Sequence, residues 1–284
     1  MISFAGSKRL FCWVLLLLAL SGCAASTQLT QADLHLYGGL SRQAPPAARD
    51  SLVCVSYNIA YGGKLEQALK DLTSDARLKH TDILLLQEMD PAGVAFLAER
   101  LGMNYFYYPS FIHSHHGRLF GTAVLSPWPL SAPRHIVLPY PNQFSDHHRT
   151  ALAVDVEIAD QVVRAVSVHL STLVIDLEDR LEQAAMVRDS LVADAGPTII
   201  GGDFNSGTHW EVVQFRRVVR KAGFREARIP EDRTARGGPL DLLGYHLKLD
   251  HIYYRGLELV AAGSLGDARA SDHYPVWTVF RWRE

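Results

Sequence analysis

Six apolar runs in this 284-residue chain end or begin on a carboxylate, an amide or a histidine. That recurrence constrains the fold more than any single motif does. Tyr57-Asn58 closes the run Val53-Cys54-Val55, and Gln87-Glu88 closes Ile83-Leu84-Leu85-Leu86. Val168-His169-Leu170-Ser171 closes a third run, and Gly201-Gly202-Asp203-Phe204-Asn205 follows Thr198-Ile199-Ile200. Leu249-Asp250-His251-Ile252 opens a fifth, and Ser271-Asp272-His273-Tyr274-Pro275 precedes the last. Short runs rich in Val, Ile and Leu read as buried strands. The end of a strand in a packed sheet is a place where a polar side chain is held rigidly.

The remaining pattern fills in a layered α/β protein. Helical spacing of Leu65, Ala68, Leu69 and Leu72 predicts a helix over 65–78, and 92–101, 177–193 and 211–222 read likewise. Strands are predicted at 105–108, at 122–125 before the Ser126-Pro127-Trp128-Pro129 turn, at 249–254 and at 277–282. Leu152, Val154, Val156 and Ile158 alternate, and the run from Val162 to Leu170 pairs with them as a hairpin across Ala159-Asp160-Gln161. Strands interleaved with a few helices predict sheets packed together with helices outside.

Residues 1–22 read as an export signal. Lys8 and Arg9 precede an apolar run, Leu10 to Leu20, that is too short to span a bilayer comfortably. Leu20-Ser21-Gly22-Cys23 resembles the lipobox of bacterial lipoproteins, which implies lipidation of Cys23. Ala24 after it implies outer-membrane retention, facing the periplasm or the cell surface. A plain cleaved signal and an uncleaved anchor are the alternatives. Residues 23–50, rich in Ala, Gln, Ser and Pro, are predicted to be a tether, and the domain to occupy 51–284. Only Cys54 then remains in the domain, within an apolar run, so no internal disulfide is available to it.

Charge narrows the function. The formal net charge is −2, and removing residues 1–22 takes away Lys8 and Arg9 and no acid, which brings it to −4. A protein that coats nucleic acid by charge alone is strongly basic. An enzyme with a local basic groove is not excluded.

Singly, each polar site has a bland reading: Asn58 as a turn residue, Glu88 or Asp272 as a cap, His169 as a core histidine, Asp203 and Asn205 as an Asx turn, and Asp250 as an ion-pair partner. Together they do not. Several carboxylates losing hydration at one rim repel one another and require a cation. Oxygen ligands without thiolates suit a hard ion, Mg²⁺ or Mn²⁺. Histidines in the same set supply proton transfer near neutral pH.

The six motifs, in this order over about residues 51–283, resemble those of the endonuclease/exonuclease/phosphatase superfamily, which includes deoxyribonuclease-I-like nucleases, inositol polyphosphate 5-phosphatases and neutral sphingomyelinases. Gly121 to Ser126 is similar to the family's central strand. The resemblance implies a four-layer αββα sandwich of two mostly antiparallel sheets flanked by helices, with the site at one end. It implies Asn58 and Glu88 at the metal, with Asp272 a second carboxylate there. It implies that Asp203 and Asn205 orient water and phosphate, that Asp250 fixes His273, and that His273 and His169 contact the phosphate. Either Asp203 or His273 takes the proton of the attacking water. The chain departs from the pattern at Pro127, where a basic residue is usual, and shows no further acidic partner around Arg118-Leu119-Phe120.

Three other stretches bear on function. His113-Ser114-His115-His116 is either a zinc site or a solvated loop. In Asp146-His147-His148-Arg149 the arginine is a candidate phosphate ligand. The basic residues from Arg216 to Arg236 read as an outer helix face and its loop. The expected activity is metal-dependent hydrolysis of a phosphate ester by a monomer, with nucleic acid or a phospholipid head group as substrate. A non-catalytic binding lipoprotein is the third reading.

Overall fold

A computed structural model of the chain describes residues 35–113, 116–141, 147–172, 175–193, 196–237 and 244–283. The expected signal, Cys23, Ser114-His115 and Asp146 lie outside the described residues. No helix among those described is long and apolar enough to cross a membrane.

In chain order the elements are β1 (Tyr37–Gly39), β2 (Ser51–Asn58), α1 (Leu65–Ser74), β3 (Ile83–Met89), α2 (Pro91–Leu101), β4 (Asn104–His113), β5 (Arg118–Ser126), β6 (Leu130–Val137) and β7 (Thr150–Ile158). There follow β8 (Gln161–His169), α3 (Leu177–Ser190), β9 (Thr198–Asp203), α4 (His209–Arg220), β10 (Arg225–Glu226), β11 (Asp250–Arg255), β12 (Leu257–Ser264) and β13 (Val276–Trp282). One sheet has seven strands in the order β1-β4-β5-β3-β2-β13-β12, and the other has six in the order β10-β11-β9-β8-β7-β6. Among the described strands, only β2 with β3 and β8 with β9 run parallel.

The apolar residues sort into three buried layers. Leu52, Cys54, Ile83 and Leu85 of the first sheet meet Leu152, Val154, Val156 and Ile199 of the second between the sheets. The alternate residues of β2, Val53, Val55 and Tyr57, face outward onto Ala68 and Leu72 of α1 and Val94 and Leu97 of α2. On the opposite side Ala151, Val166, Val168 and Ile200 pack on Ala184 and Val187 of α3 and on Phe215 of α4. A strand buried on both faces needs a continuous apolar run, which is why these strands stand out in the sequence. The result is the αββα sandwich.

Helix ends follow their local chemistry. Asp90 accepts from Gly93 N–H at 2.6 Å, Pro91 occupies the first turn of α2, and Gly102 ends it at φ 68°. A reciprocal capping box of Thr208 and Glu211 starts α4 directly after the Gly-Asp-Phe-Asn turn.

Part of the expected tether belongs to the domain. Tyr37 pairs with Tyr107 across β1 and β4, Ser41 N donates to Asn104 Oδ1 at 2.9 Å, and Arg49 pairs with Asp82 at 2.7 Å. The segment was too short and polar to register as a strand. The helix predicted over 65–78 ends at Ser74, and β6 and β12, two of the four edge strands, escaped the pattern. Both are half-exposed and lack a regular apolar alternation.

Candidate active site

All of the expected site residues except Cys23 converge at one end of the sandwich, on the seam between the two sheets. β2 ends on Asn58, β3 carries Glu88 near its end, and Asp272 and His273 precede β13, all from the seven-stranded sheet. β8 ends on His169, β9 ends on Asp203 and β11 begins on Asp250, all from the six-stranded sheet.

Asp203 is the hub. Its Oδ2 lies 3.1 Å from Asn58 Nδ2, 3.5 Å from His169 Nε2 and 3.7 Å from His273 Nε2. Its Oδ1 accepts from Asn205 N–H at 2.8 Å. Asn58 Nδ2 also donates to Glu88 Oε1 at 3.2 Å, while Asn58 Oδ1 accepts from Ala60 N–H at 3.1 Å. Asn58 thus bridges two carboxylates as a donor, and its oxygen is engaged with the backbone. Asp250 Oδ2 accepts from His273 Nδ1 at 2.9 Å.

Two backbone irregularities aim the carboxylates. The register of β3 against β5 slips by one residue between Leu86 and Met89, and Glu88 within that bulge has φ 59°. A bulge redirects a side chain that a regular pleat would bury. Gly202 has φ 154°, and a Cβ there would sit 1.9 Å from Val168 O. Only glycine lets β9 approach β8 closely enough to bring Asp203 beside His169.

The electrostatics separate the two histidines. Arg149 Nη1 donates to His169 Nδ1 at 3.2 Å, which leaves Nε2 of that ring as the proton-bearing atom facing Asp203. Burial, then the nearby charges of Arg149 and His273, hold His169 well below its ordinary range. Burial opposes charge on His273 too, but the carboxylates of Asp250 and Asp203 outweigh it and hold it well above that range. Asp203 is pushed up to about 7, chiefly by burial and by Asp250, with His273 acting the other way. Burial also raises Glu88. The site therefore combines a neutral imidazole, a cationic one and a carboxyl poised near neutrality, which is the composition of an acid–base centre.

The donor set fits a divalent cation. A carboxylate oxygen of Asp203 and one of Asp250 lie within 4.8 Å of each other and of a nitrogen of His273, whose ring, held cationic, leaves the ligation to the carboxylates. Asp250 Oδ1 is buried without a hydrogen-bond partner, and Glu88 offers a further carboxylate beside Asp203. An orphaned carboxylate oxygen among other carboxylates is a position that a cation satisfies. Asp272 stands exposed at the mouth, its Oδ1 accepting from Ser271 Oγ at 3.2 Å, close enough to raise His273 further.

The sequence model of the endonuclease/exonuclease/phosphatase family matches residues 55–273, a span that includes every one of these groups. The chain belongs to this family. Among solved structures it resembles an endonuclease/exonuclease/phosphatase family protein from Leptotrichia buccalis, with TM-score 0.67 at 14% identity, covering 81% of this chain and 100% of that one. It also resembles D. rerio TDP2 complexed with single strand DNA product, with TM-score 0.64 at 19% identity, covering 82% and 100%. A third is ANGEL2, described as a 2',3'-cyclic phosphatase in complex with adenosine-2',3'-vanadate, with TM-score 0.63 at 15% identity, covering 88% and 99%. At these identities the likeness is one of fold. Among curated proteins, a UPF0294 protein of Erwinia tasmaniensis is 32% identical over 123 residues, 43% of this chain and 42% of its own length. A UPF0294 protein of Yersinia pseudotuberculosis is 27% identical over 134 residues, 47% and 48%. The chain therefore matches less than half the length of these curated relatives.

Several residues complete this family site that the motifs do not announce. Arg180 of α3 is buried; its Nη1 donates to Asn205 O at 2.5 Å and its Nη2 pairs with Glu211 at 2.6 Å. It holds Asn205 in the left-handed region at φ 50°. Nothing in the helical pattern distinguishes it from the surface arginines. Gln87 Nε2 donates to Ser167 Oγ at 3.0 Å, tying β3 to β8 beneath the site. His251 bonds Glu226 at 3.0 Å and Ser206 Oγ at 2.8 Å, linking the strand of Asp250 to the loop after Asn205. Arg149 reaches the site, its Nη1 bonded to His169 and its guanidinium 5.3 Å from the Phe120 ring. The rings of His113 and His116 lie 4.8 Å apart, and among the described residues they form no group of three metal ligands. Of the basic stretch, Arg216 pairs with the buried Glu226, Arg233 and Arg236 lie over the Tyr274 ring, and Arg236 Nη1 donates to Ser271 O at 2.6 Å. Arg233 and Arg236 thus support the loop carrying His273, while Arg217, Arg220, Lys221, Arg225 and Arg228 are exposed, as an outer helix face and its loop would be.

Proposed function

We propose that the protein is a divalent-metal-dependent phosphodiesterase in which water attacks phosphorus in line with the leaving oxygen. The observation that carries this reading is the triple approach of Asn58, His169 and His273 to a single oxygen of Asp203, within 3.1–3.7 Å. Mg²⁺ or Mn²⁺ held among the carboxylates of Glu88, Asp203 and Asp250, with Asp272 nearby, would polarise a phosphoryl oxygen and offset the charge that develops on it. His169 Nε2–H and the Arg149 guanidinium donate to the phosphate, supplying fixed dipoles and charge that need no reorganisation in the transition state. Asp203, at the centre of the site, orients the attacking water and is placed to accept its proton. Asp250 fixes the ring of His273, whose positive charge stabilises the phosphate oxygens.

The protein would act outside the cytoplasm, lipid-anchored through Cys23, a reading supported by the Leu20-Ser21-Gly22-Cys23 sequence. Such an anchor, with the acidic net charge, would favour a phospholipid head group as substrate. The test is a panel of DNA, RNA, dinucleotides and phospholipid vesicles, with wild type and His273→Ala side by side, with and without EDTA. Turnover of at least one substrate, sensitive to EDTA and reduced by roughly 100-fold or more in the variant, is expected. Absence of EDTA-sensitive turnover on every substrate refutes the proposal.

A further inference from the structure

A shallow surface cleft opens beside Glu88, and its lining includes Tyr61, His113, His116, Arg118 and Phe120. The backbone leading to Tyr61 is strained: Ala60, Tyr61 and Gly62 take φ of 37°, 61° and 61° in succession. Non-glycine residues in that region persist only where their surroundings hold them, and they cluster at functional sites. Here two contacts do the holding. Asn58 Oδ1 accepts Ala60 N–H, and Arg118 Nη2 donates to Tyr61 O at 3.1 Å while its Nη1 pairs with Asp90 at 2.6 Å. The turn is thus tied to a residue of the active site at one end and to a salt bridge at the other.

What this strain presents is a partly exposed aromatic ring. Tyr61 lies 4.5 Å from the His113 ring, 4.8 Å from His116 and 5.6 Å from Phe120. Phe120 in turn lies 5.7 Å from the His169 ring. A continuous wall of rings therefore runs from the phosphate-facing histidine out to the rim. Its polar edge is set by His116 and Arg118, both exposed.

The chemistry of the wall selects its ligand. A quaternary ammonium group needs aromatic faces free of competing cations. Here Arg149 already lies over Phe111 and Phe120, 5.5 and 5.3 Å from their centroids, and Arg118 and two imidazoles border the cleft. An acyl chain would meet those same polar groups. A planar heteroaromatic ring suits both features: a π-face for Tyr61 and hydrogen-bonding edges for the imidazoles and the guanidinium. We propose that Tyr61, with His113 and His116, forms a stacking subsite for a nucleobase adjoining the scissile phosphate, so that the substrate is a nucleotide-bearing phosphodiester. The inference rests on the hydrolase reading above and names the substrate class of that same site.

The experiment compares a thymidine dinucleotide with the same dinucleotide carrying an abasic deoxyribose at one or the other position. In wild type, kcat/KM for the base-bearing substrate should exceed that for one abasic substrate by roughly tenfold or more, since a base stacked on an aromatic side chain contributes on that scale. Tyr61→Leu should bring the ratio toward one, Tyr61→Phe should retain it, and His116→Ala, at an exposed position, should reduce it. A ratio near one in wild type, a ratio unmoved by both Tyr61→Leu and His116→Ala, or faster turnover of phosphatidylcholine vesicles than of the dinucleotide overturns the inference. Should Tyr61→Leu fail to fold, His116→Ala decides. Should wild type cleave neither dinucleotide, the full substrate panel with and without EDTA judges the hydrolase reading separately. Calorimetric binding of thymidine monophosphate against abasic deoxyribose phosphate then judges the subsite alone: a preference lost in His116→Ala keeps it, and equal binding sinks it.

Discussion

The hydrogen bond from His273 Nδ1 to Asp250 Oδ2, at 2.9 Å, joins a residue entering the seven-stranded sheet to one that opens a strand of the six-stranded sheet. The pair orients the imidazole and also holds its positive charge. Asp250→Asn keeps the shape and removes the charge. Its kcat on any accepted phosphodiester is expected to fall by roughly 100- to 10,000-fold, with the thermal midpoint changed far less than activity. Steady-state kinetics beside thermal melts would check this, and a variant with kcat near wild type would contradict the role given to Asp250.

Cation binding should be visible without substrate. Glu88, Asp203 and Asp250 are carboxylates sharing a buried site, so an ion bound only by the folded state raises its stability. Saturating Mg²⁺ or Mn²⁺ at about 100 times the dissociation constant is expected to add about 2.7 kcal/mol. Glu88→Gln should lose most of the shift in melting temperature. An unshifted melt in wild type across both ions would argue against a metal at this rim.

Gly202 and Gly117 make a matched pair. At Gly202 a Cβ would meet Val168 O at 1.9 Å, whereas at Gly117 nothing lies within 4 Å, although both have positive φ. Gly202→Ala is expected to lower stability by about 4 kcal/mol or more, or to give no soluble protein. Gly117→Ala should lower it by only about 1 kcal/mol, from backbone strain alone. Urea unfolding of the two variants measures the difference.

Acid stability should depend on a group remote from the chemistry. Burial would raise Glu226, but its hydrogen bond to His251 and its pairing with Arg216 outweigh that and hold it at about 2, against an ordinary 4.5. Because its folded value is depressed, the stability it contributes is full above about 4.5 and is lost as pH falls from there toward 2. The contribution is about 3 kcal/mol. Glu226→Gln should therefore be less stable than wild type at neutral pH and should flatten the decline between those two values. Urea midpoints across that window would test the sign.

The sequence carried the site further than the architecture. Asn58, Glu88, His169, Asp203, Asp250 and His273 were legible because each interrupts or bounds an apolar run, and a polar residue there has few purposes. The strands β2, β3, β7 and β8 were legible because both of their faces, or one regular face, are buried. β6 contains Pro133 and Arg134 and is mostly exposed, so nothing in its pattern separates it from a loop. Arg180 was illegible for the opposite reason: its burial is decided by Glu211 and Asn205, which only the packing of α3 against α4 brings near. The outward aim of Glu88 depends on a one-residue slip between β3 and β5, a relation between strands that no local pattern encodes.

Among the described residues, hydrogen bonds that stitch the sheets at the same end include Asn58 to Asp203, Gln87 to Ser167, Ser167 to Leu86 and His273 to Asp250. Each half of the reactive centre is thus mounted on a different slab, and their spacing is set by the thickness of the filling between, by residues such as Leu85 and Val154. A methyl group added or removed in that filling, far from any phosphate, would alter the gap across which the chemistry is performed. If the proposed hydrolysis is performed there, its rate would be a caliper for the deepest core.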